Sequence, residues 1–405
     1  MLNKDNSRPL AGVKVLTIEN QVSAPFCTMM LADAGAEVIK IETPGRGDSS
    51  REAGPIIKKD GEKTSGYFMR FNRQKKSLTL NLKEDEGKDI LKKLVKEADV
   101  LVENLRPGSL KGMGLGYDEL SQINPRLIYA TISGFGQLAE GPYSERPAYD
   151  IIVQAMGGLM NLVGEENGPP LHPMLALGDI VPGMLTAYAI SLALIKRDRT
   201  GEGDFIDMAM YDVVLALTER AHTLYSLTQQ VMTRGKETLI HPWGAFPTKD
   251  GYVAIIVLEA RMWARFCQAI ERPELEKDER FANAMLRAKN RADLDPVINE
   301  WMVSRTCDQV IDTLLKAKVP AGKVRDSSEV FDCPQARSRG MWVKSQHPIA
   351  GEVELIGSPI RMKNVPHQSE VLPSPELGEH SAEVLAKLLG MSDEDIAGLK
   401  DKGII

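Results

Sequence analysis

Asp179 lies in Leu175-Ala176-Leu177-Gly178-Asp179-Ile180-Val181-Pro182-Gly183, at the head of the most apolar helix-forming stretch of the chain. A carboxylate there sits as helix N-cap, where backbone N–H groups and the helix dipole favour its ionised form. The glycine before it and the proline and glycine after it let backbone or ligand approach closely. Capping is the commonest work of Asp at such a position, so the pattern alone favours a plain cap over a reactive carboxylate. The second candidate is cationic: Asn72-Arg73-Gln74-Lys75-Lys76-Ser77 followed by Lys83, together with Asn104-Leu105-Arg106-Pro107-Gly108 and Lys111. Both stretches flank strand-like segments, where Lys and Arg could pair with phosphates or form a solvated charged face. Tyr149-Asp150 reads equally as a packed helix start or a substrate-facing pair, and Arg146 and His172 are further polar residues near Asp179 in sequence.

Other chemistries find no support in the residue spacing. The six histidines form no HxxxH or similar pattern, which makes a catalytic metal an unfavoured expectation. The four cysteines, Cys27, Cys267, Cys307 and Cys333, form no CxxC pair and read as packed, reduced thiols. No GxSxG elbow and no GxxxxGK[ST] loop occur. Arg46-Gly47-Asp48 reads as a turn.

The elements that must position these residues alternate. VKVLTIE at 13–19 is a strand, 25–34 a helix entered at Pro25, and EVIKIE at 37–42 a second strand. A helix at 84–98, a strand at 99–103, a helix at 117–123 and a strand at 126–133 follow. This α/β pattern predicts a Rossmann-like layer with a mostly parallel sheet and helices on both faces. The first turn, Asn20-Gln21-Val22-Ser23-Ala24-Pro25, lacks GxGxxG, so a bound NAD is not expected. An apolar helix is expected over about 179–196, and from His241 to about Lys318 a smaller α+β domain with amphipathic helices carrying Trp263, Phe266, Trp301 and Leu314-Leu315. Two short helices close the chain, the last opened by the capping-box pattern Ser392-Asp393-Glu394-Asp395.

The chain has 405 residues, 43% hydrophobic and 26% charged, a composition of ordinary globular proteins and a length for two or three domains. Its net charge of -6 argues against a general nucleic-acid binder. The longest apolar run, 183–195, is shorter than the roughly 20 residues of a membrane span, and no signal-peptide pattern opens the chain. We therefore expect a buried helix in a cytoplasmic protein.

From Pro9 to Ile404 the chain resembles the class III CoA transferases, the family of formyl-CoA:oxalate, carnitine and bile-acid CoA transferases. The resemblance is carried by Pro9-Leu10-Ala11-Gly12, Gly35-Ala36-Glu37-Val38-Ile39-Lys40-Ile41-Glu42 with Pro44-Gly45-Arg46-Gly47-Asp48, and Asn72 with Lys75-Lys76-Ser77 and Leu80-Asn81-Leu82-Lys83. It continues through Val102-Glu103-Asn104 with Arg106-Pro107-Gly108, Met113-Gly114-Leu115-Gly116-Tyr117, Ser133-Gly134-Phe135-Gly136-Gln137, Gly178-Asp179 and Leu377-Gly378-Glu379-His380. The resemblance implies that Asp179 is a nucleophile forming an aspartyl-acyl anhydride and then an aspartyl-CoA thioester, and that Gln137 faces it. By the same carry-over CoA lies along Gln21, Val22 and Ser23, Leu80, Asn81 and Lys83, Asn104, Leu105 and Arg106, and Ser133, Gly134, Phe135 and Gly136, with Lys75 and Lys111 as further cations. Backbone N–H groups near the 134–136 turn are expected to stabilise oxyanions. The implied substrates are an acyl-CoA donor and a carboxylate acceptor, with no metal, NAD or ATP. The implied assembly is an interlocked homodimer, its large domain formed by 1–217 and 333–405, its small domain by 240–318, and its connectors by 218–239 and 319–332.

Some positions depart from the family. The formyl-CoA member has Gln where Val22 stands and Arg where Thr43 and Gly112 stand, and Trp243-Gly244-Ala245-Phe246 replaces its glycine run, which disfavours formyl-CoA:oxalate transfer. The nearest rival is an α-methylacyl-CoA racemase, whose Gly-His-Asp segment supplies a second base. Here the segment reads Ala148-Tyr149-Asp150, and a tyrosine of ordinary pKa about 10 replaces that base poorly. A non-catalytic acyl-CoA-binding protein is the alternative of another class.

Overall fold

The computed structural model describes residues 7–139, 141–235 and 239–405. The chain divides into two compact units, one of Met1–Val163, Pro170–Met232 and Arg337–Ile405, the other of Gly164–Pro169 and Thr233–Ala336.

The larger unit is built on six strands, β1 (Lys14–Ile18), β2 (Glu37–Glu42), β3 (Lys75–Thr79), β4 (Val100–Glu103), β5 (Ile128–Ser133) and β6 (Asp204–Ala209), in the order β3-β2-β1-β4-β5-β6. Every pairing is parallel. This is the Rossmann strand order, and its direction reverses between β1 and β4, where ligands of such sheets bind at the carboxyl ends. Successive side chains alternate between two apolar cores. Leu16, Ile39, Leu78 and Leu101 meet Ile90, Leu91 and Leu94 of α3 (Asp85–Lys96), and Val384 and Leu385 from the C-terminal end. On the other face Val15, Val38, Val100 and Ile128 meet Cys27 and Leu31 of α1 (Ser23–Asp33), and Ala187, Ile190 and Leu194 of the long helix Leu177–Thr200. Covered on both faces, β1, β4 and β5 read as largely apolar runs, which is why their positions were visible in the sequence.

Four more helices bear on the site: α2 (Gly66–Asn72), α4 (Tyr117–Ile123), α5 (Asp150–Met156) and α6 (Leu177–Thr200), the last followed by α7 (Met210–Leu217). Helix α5 ends at Gly157, where an added Cβ would lie 2.5 Å from Val214 of α7, and one further helical turn follows at Leu159–Leu162. At about 1.5 Å per residue α6 spans the height of the sheet. Its far end is anchored by Arg197, which pairs with Asp99 at 3.0 Å just before β4. By length and composition α6 could cross a membrane, and 44% of its apolar window is buried within the fold.

The second unit packs β7 (Trp243–Thr248), β8 (Gly251–Ile256) and β9 (Ala321–Lys323), all antiparallel, with α8 (Ala260–Ala269), α9 (Arg291–Val303) and α10 (Cys307–Lys316). Trp263, Phe266, Trp301 and Leu314 form its core, whereas Leu315 is exposed. In the larger unit the chain closes with α11 (Ser381–Leu389) and α12 (Asp393–Asp401), the latter opened by a reciprocal cap between Ser392 and Asp395.

Candidate active site

The loops after β1 and β4 meet at the strand-order reversal. Asn104 Nδ2 donates to Asn20 O at 2.9 Å and to Ser23 Oγ at 3.0 Å, while Asn104 Oδ1 accepts the Asn20 N–H at 2.9 Å. Asn104 is thus a clamp between two loops. Beside it opens a cleft of about 150 Å³ lined by Asn20, Thr43, Leu80, Asn81, Lys83 and Leu105 among others, so four of the expected CoA contacts share one cavity. Gln21 enters the loop with φ of 65° and its N–H bonded to Asp48 Oδ1 at 3.2 Å. Arg106 and Lys111 are exposed beyond β4.

Beneath these loops is a buried ion cluster that sequence reasoning missed. Lys40 Nζ lies 2.7 Å from Asp48 and 3.3 Å from Glu19, and Lys75 Nζ lies 2.7 Å from Glu19. Arg51 grips Glu42 through two nitrogens at 2.8 and 2.7 Å, and Ser77 Oγ donates to the same carboxylate at 2.6 Å. Burial alone would raise the Glu19 carboxyl, but Lys40 and Lys75 outweigh it and hold it below the usual range. Burial lowers the Lys75 ammonium to about 8. Lys75 is therefore a correction: its side chain is fully buried on Glu19, Pro25 O and Asn72, and faces no phosphate. Arg73 pairs with Asp33, and Lys76 with Glu37 and Glu383, so the basic stretch supplies internal counter-ions. Only Lys83 of that group lines the cleft.

The 133–138 turn is also internally satisfied. The Gly136 N–H donates to Ser133 Oγ at 3.0 Å, and the N–H groups of Gln137 and Leu138 both donate to Asp207 Oδ2 at 2.7 Å. These three donors are therefore engaged, Gly136 among those expected to stabilise an oxyanion. Phe135 packs between Tyr143 and Tyr211. Gln137 Nε2 donates to Thr131 at 2.8 Å, turning the side chain toward β5 and Glu103 rather than Asp179. Burial raises the Glu103 carboxyl to about 7 against hydrogen bonds from Thr131, Leu105 and Gln137.

Asp179 is the third residue of α6, in its first turn, and the N-cap is Ala176. The helix starts earlier than expected because its opening donor is satisfied from elsewhere: the Gly178 N–H donates to Asp150 Oδ1 at 2.7 Å. A Cβ on Gly178 would stand 2.6 Å from Val153 and 3.0 Å from Asp150 O, and one on Gly183 would stand 2.5 Å from Ser23 O. These two glycines let α6 lie against α5 and against the backbone at the head of α1. Ala176 and Ile180 pack on Val22, Phe26, Tyr67 and Phe71, which brings the Asp179 turn to the start of α1, beside the expected CoA contacts Val22 and Ser23. Val22 is buried and serves as an apolar wall. Asp179 is half-buried, and burial first, then Asp150, push its carboxyl up to about 7. Burial likewise raises the Tyr67 phenol, Arg70 opposes the rise, and the Asp179 charge adds to it. Arg70 is exposed and stacks over Tyr67 and Phe71 at 4.8 and 4.5 Å from their ring centres. Neither residue carried a spacing signal.

A family model described as CoA-transferase family III matches residues 10–381. The human succinyl-CoA:glutarate CoA-transferase is 35% identical over 99% of this chain and 91% of its own length. The succinyl-CoA:mesaconate CoA-transferase of Haloarcula hispanica is 37% identical over 93% of this chain and 95% of its own length. A crystal structure of a CAIB/BAIF family protein from Brucella suis superposes with a TM-score of 0.84 at 36% identity, covering 94% of this chain and 99% of that one. The chain belongs to CoA-transferase family III, and it is an enzyme of the CoA-transferase class acting on CoA thioesters.

Proposed function

We propose that the enzyme moves CoA from a dicarboxylic acyl-CoA to a second free carboxylic acid, with Asp179 as the covalent relay. The observation that carries this reading is a half-buried carboxylate with no cationic partner among the described residues, in the first turn of α6 against the head of α1. An aspartate pushed up to about 7 is more basic than in water, and so a better nucleophile once ionised. Its carboxylate attacks the thioester carbonyl and expels CoA thiolate, leaving a mixed anhydride. The thiolate then attacks the aspartyl carbonyl and releases the donor acid. The acceptor carboxylate attacks the aspartyl-CoA thioester, and the expelled thiolate takes the acceptor acyl group, regenerating Asp179. Each step exchanges one acyl bond for another, and no net proton or electron moves.

Lys83, Arg106 and Lys111 are the cations assigned to the CoA phosphates, around the cleft after β1 and β4. The dicarboxylic class follows the names of the relatives, and Arg70 fits it: an exposed guanidinium near Asp179, with no carboxylate partner among the described residues. Arg70→Met should raise KM for dicarboxylic acceptors roughly tenfold or more while sparing monocarboxylic ones. The racemase alternative needs a second base, and His172, near Asp179 in sequence, has both ring nitrogens engaged, Nε2 with Asp150 and Nδ1 with the Met174 N–H.

A second copy of the chain is the proposed cover for the exposed apolar stripe of α6, formed by Met184, Leu185, Tyr188, Leu192 and Ile195. In the interlocked dimer that the family resemblance implies, 218–239 and 319–332 are the connectors between the large domain and 240–318. Lys236–Thr238 lie outside the described residues.

The test is covalent capture. Wild-type enzyme should be inactivated by hydroxylamine only when acyl-CoA is present, with the modification mapping to Asp179. Asp179→Asn should lose about 10⁴-fold in turnover, as when a covalent nucleophile is removed. Wild-type turnover in that variant refutes the relay.

A further inference from the structure

Resting on the reading of Asp179 as nucleophile, we propose that Asp150 is its positioning residue: it caps the first turn of α6 from another helix, and its fixed charge tunes how readily Asp179 gives up a proton. The first N–H groups of a helix have no partner within it and are usually met by the helix's own N-cap side chain. Ala176 carries no acceptor, and the Gly178 N–H is met by a carboxylate 28 residues upstream, at 2.7 Å.

Asp150 is itself held in place. Gln154, completely buried, donates to both carboxylate oxygens at 2.7 and 2.8 Å and to Leu175 O at 2.8 Å, joining α5 to the approach of α6. His172 Nε2 lies 3.0 Å from Asp150 Oδ2. His172 Nδ1 accepts the Met174 N–H at 3.1 Å, which leaves the ring proton on Nε2, facing Asp150. The carboxylate is thus oriented by Gln154 and His172, with no Lys or Arg paired to it among the described residues.

The groups around Asp179 come from several elements. Asp150 faces it from α5, and Tyr67 lies on α2 with Arg70 behind it. His172, before α6, is turned to Asp150, and Val22 and Phe26 at the head of α1 are uncharged. The nearest fixed charge acting on Asp179 is therefore of like sign, which favours its protonated form. The same residue that aligns the nucleophile also raises its basicity.

The test is the pH dependence of the single-turnover acylation rate, measured as donor acid released from acyl-CoA by excess enzyme. The wild-type rate should rise with pH along an acid limb near 7, because only ionised Asp179 attacks. Asp150→Asn removes the charge and keeps the side-chain size, so the limb should move to lower pH by about one unit. Asp150→Glu keeps the charge and displaces the carboxylate, so the limb should stay in place while the rate falls roughly a hundredfold. Thermal melting identifies any variant that fails to fold, and either folded variant suffices for the test. An unmoved limb in Asp150→Asn, or a wild-type rate in Asp150→Glu, overturns the proposal. If Asp179→Asn is inactive while the Asp150 variants behave as wild type, this inference alone fails. If Asp179→Asn remains active, the reading it rests on fails first.

Discussion

Glu19, Glu42 and Asp48, at the ends of β1 and β2, are withdrawn from water much as Glu103 is at the end of β4, yet their acidities diverge. Burial raises all of them. The first three are answered by Lys40, Lys75 and Arg51 and settle below the usual carboxylate range. Glu103 and Asp179 have no cation beside them among the described residues, and both rise to about 7. The sign of the shift is set by the counter-ion rather than by depth. One region is an ionic foundation under the loops, and the other holds acids poised near neutrality, as chemistry at ordinary pH requires.

Breaking the paired side should have the largest effect. Lys75→Met leaves Glu19 buried with one cation fewer, and unfolding by urea should show a loss of about 3–5 kcal/mol. A loss under 1 kcal/mol would mean that Lys40 alone compensates both acids.

The unpaired side should respond with the opposite sign. The Asp179 carboxyl is raised above its unfolded value, so its contribution to stability is full below about pH 4 and is lost as pH rises through 7. Asp179→Asn should therefore match wild type near pH 4 and be more stable at pH 8, by at most roughly 4 kcal/mol. A variant equally stable or weaker at pH 8 would place a cation near Asp179 in solution. The smallest effect should come from the edge of the paired set, where Lys76 is buried but its partners Glu37 and Glu383 reach solvent: Lys76→Met, which removes both contacts, should cost about 1 kcal/mol.

What was legible in the sequence follows the range of the forces involved. Strands β1, β4 and β5 announced themselves because a sheet covered on both faces selects apolar runs residue by residue. The closing reciprocal cap at Ser392 was equally local. The start of α6 was misplaced by two residues because its cap comes from Asp150, and no property of Ala176 signals that. For 72–77 the residue types allow a phosphate-pairing or a solvated face and miss the burial, because composition cannot tell a solvated lysine from one buried on Glu19 across the sheet. Tyr67 and Arg70 reach the site through tertiary packing alone. The importance of Asp179 came from family resemblance, since its spacing suits an ordinary cap.

Helix α6 joins distant parts of the molecule in one rigid body: the proposed nucleophile at one end, the Arg197–Asp99 tie at the other, and the bare apolar stripe between them. A rod of this kind transmits a tilt along its whole length. If a second copy covers the stripe, as proposed above, it also sets the aim of the carboxylate, and specific activity should then fall on dilution in step with loss of that contact.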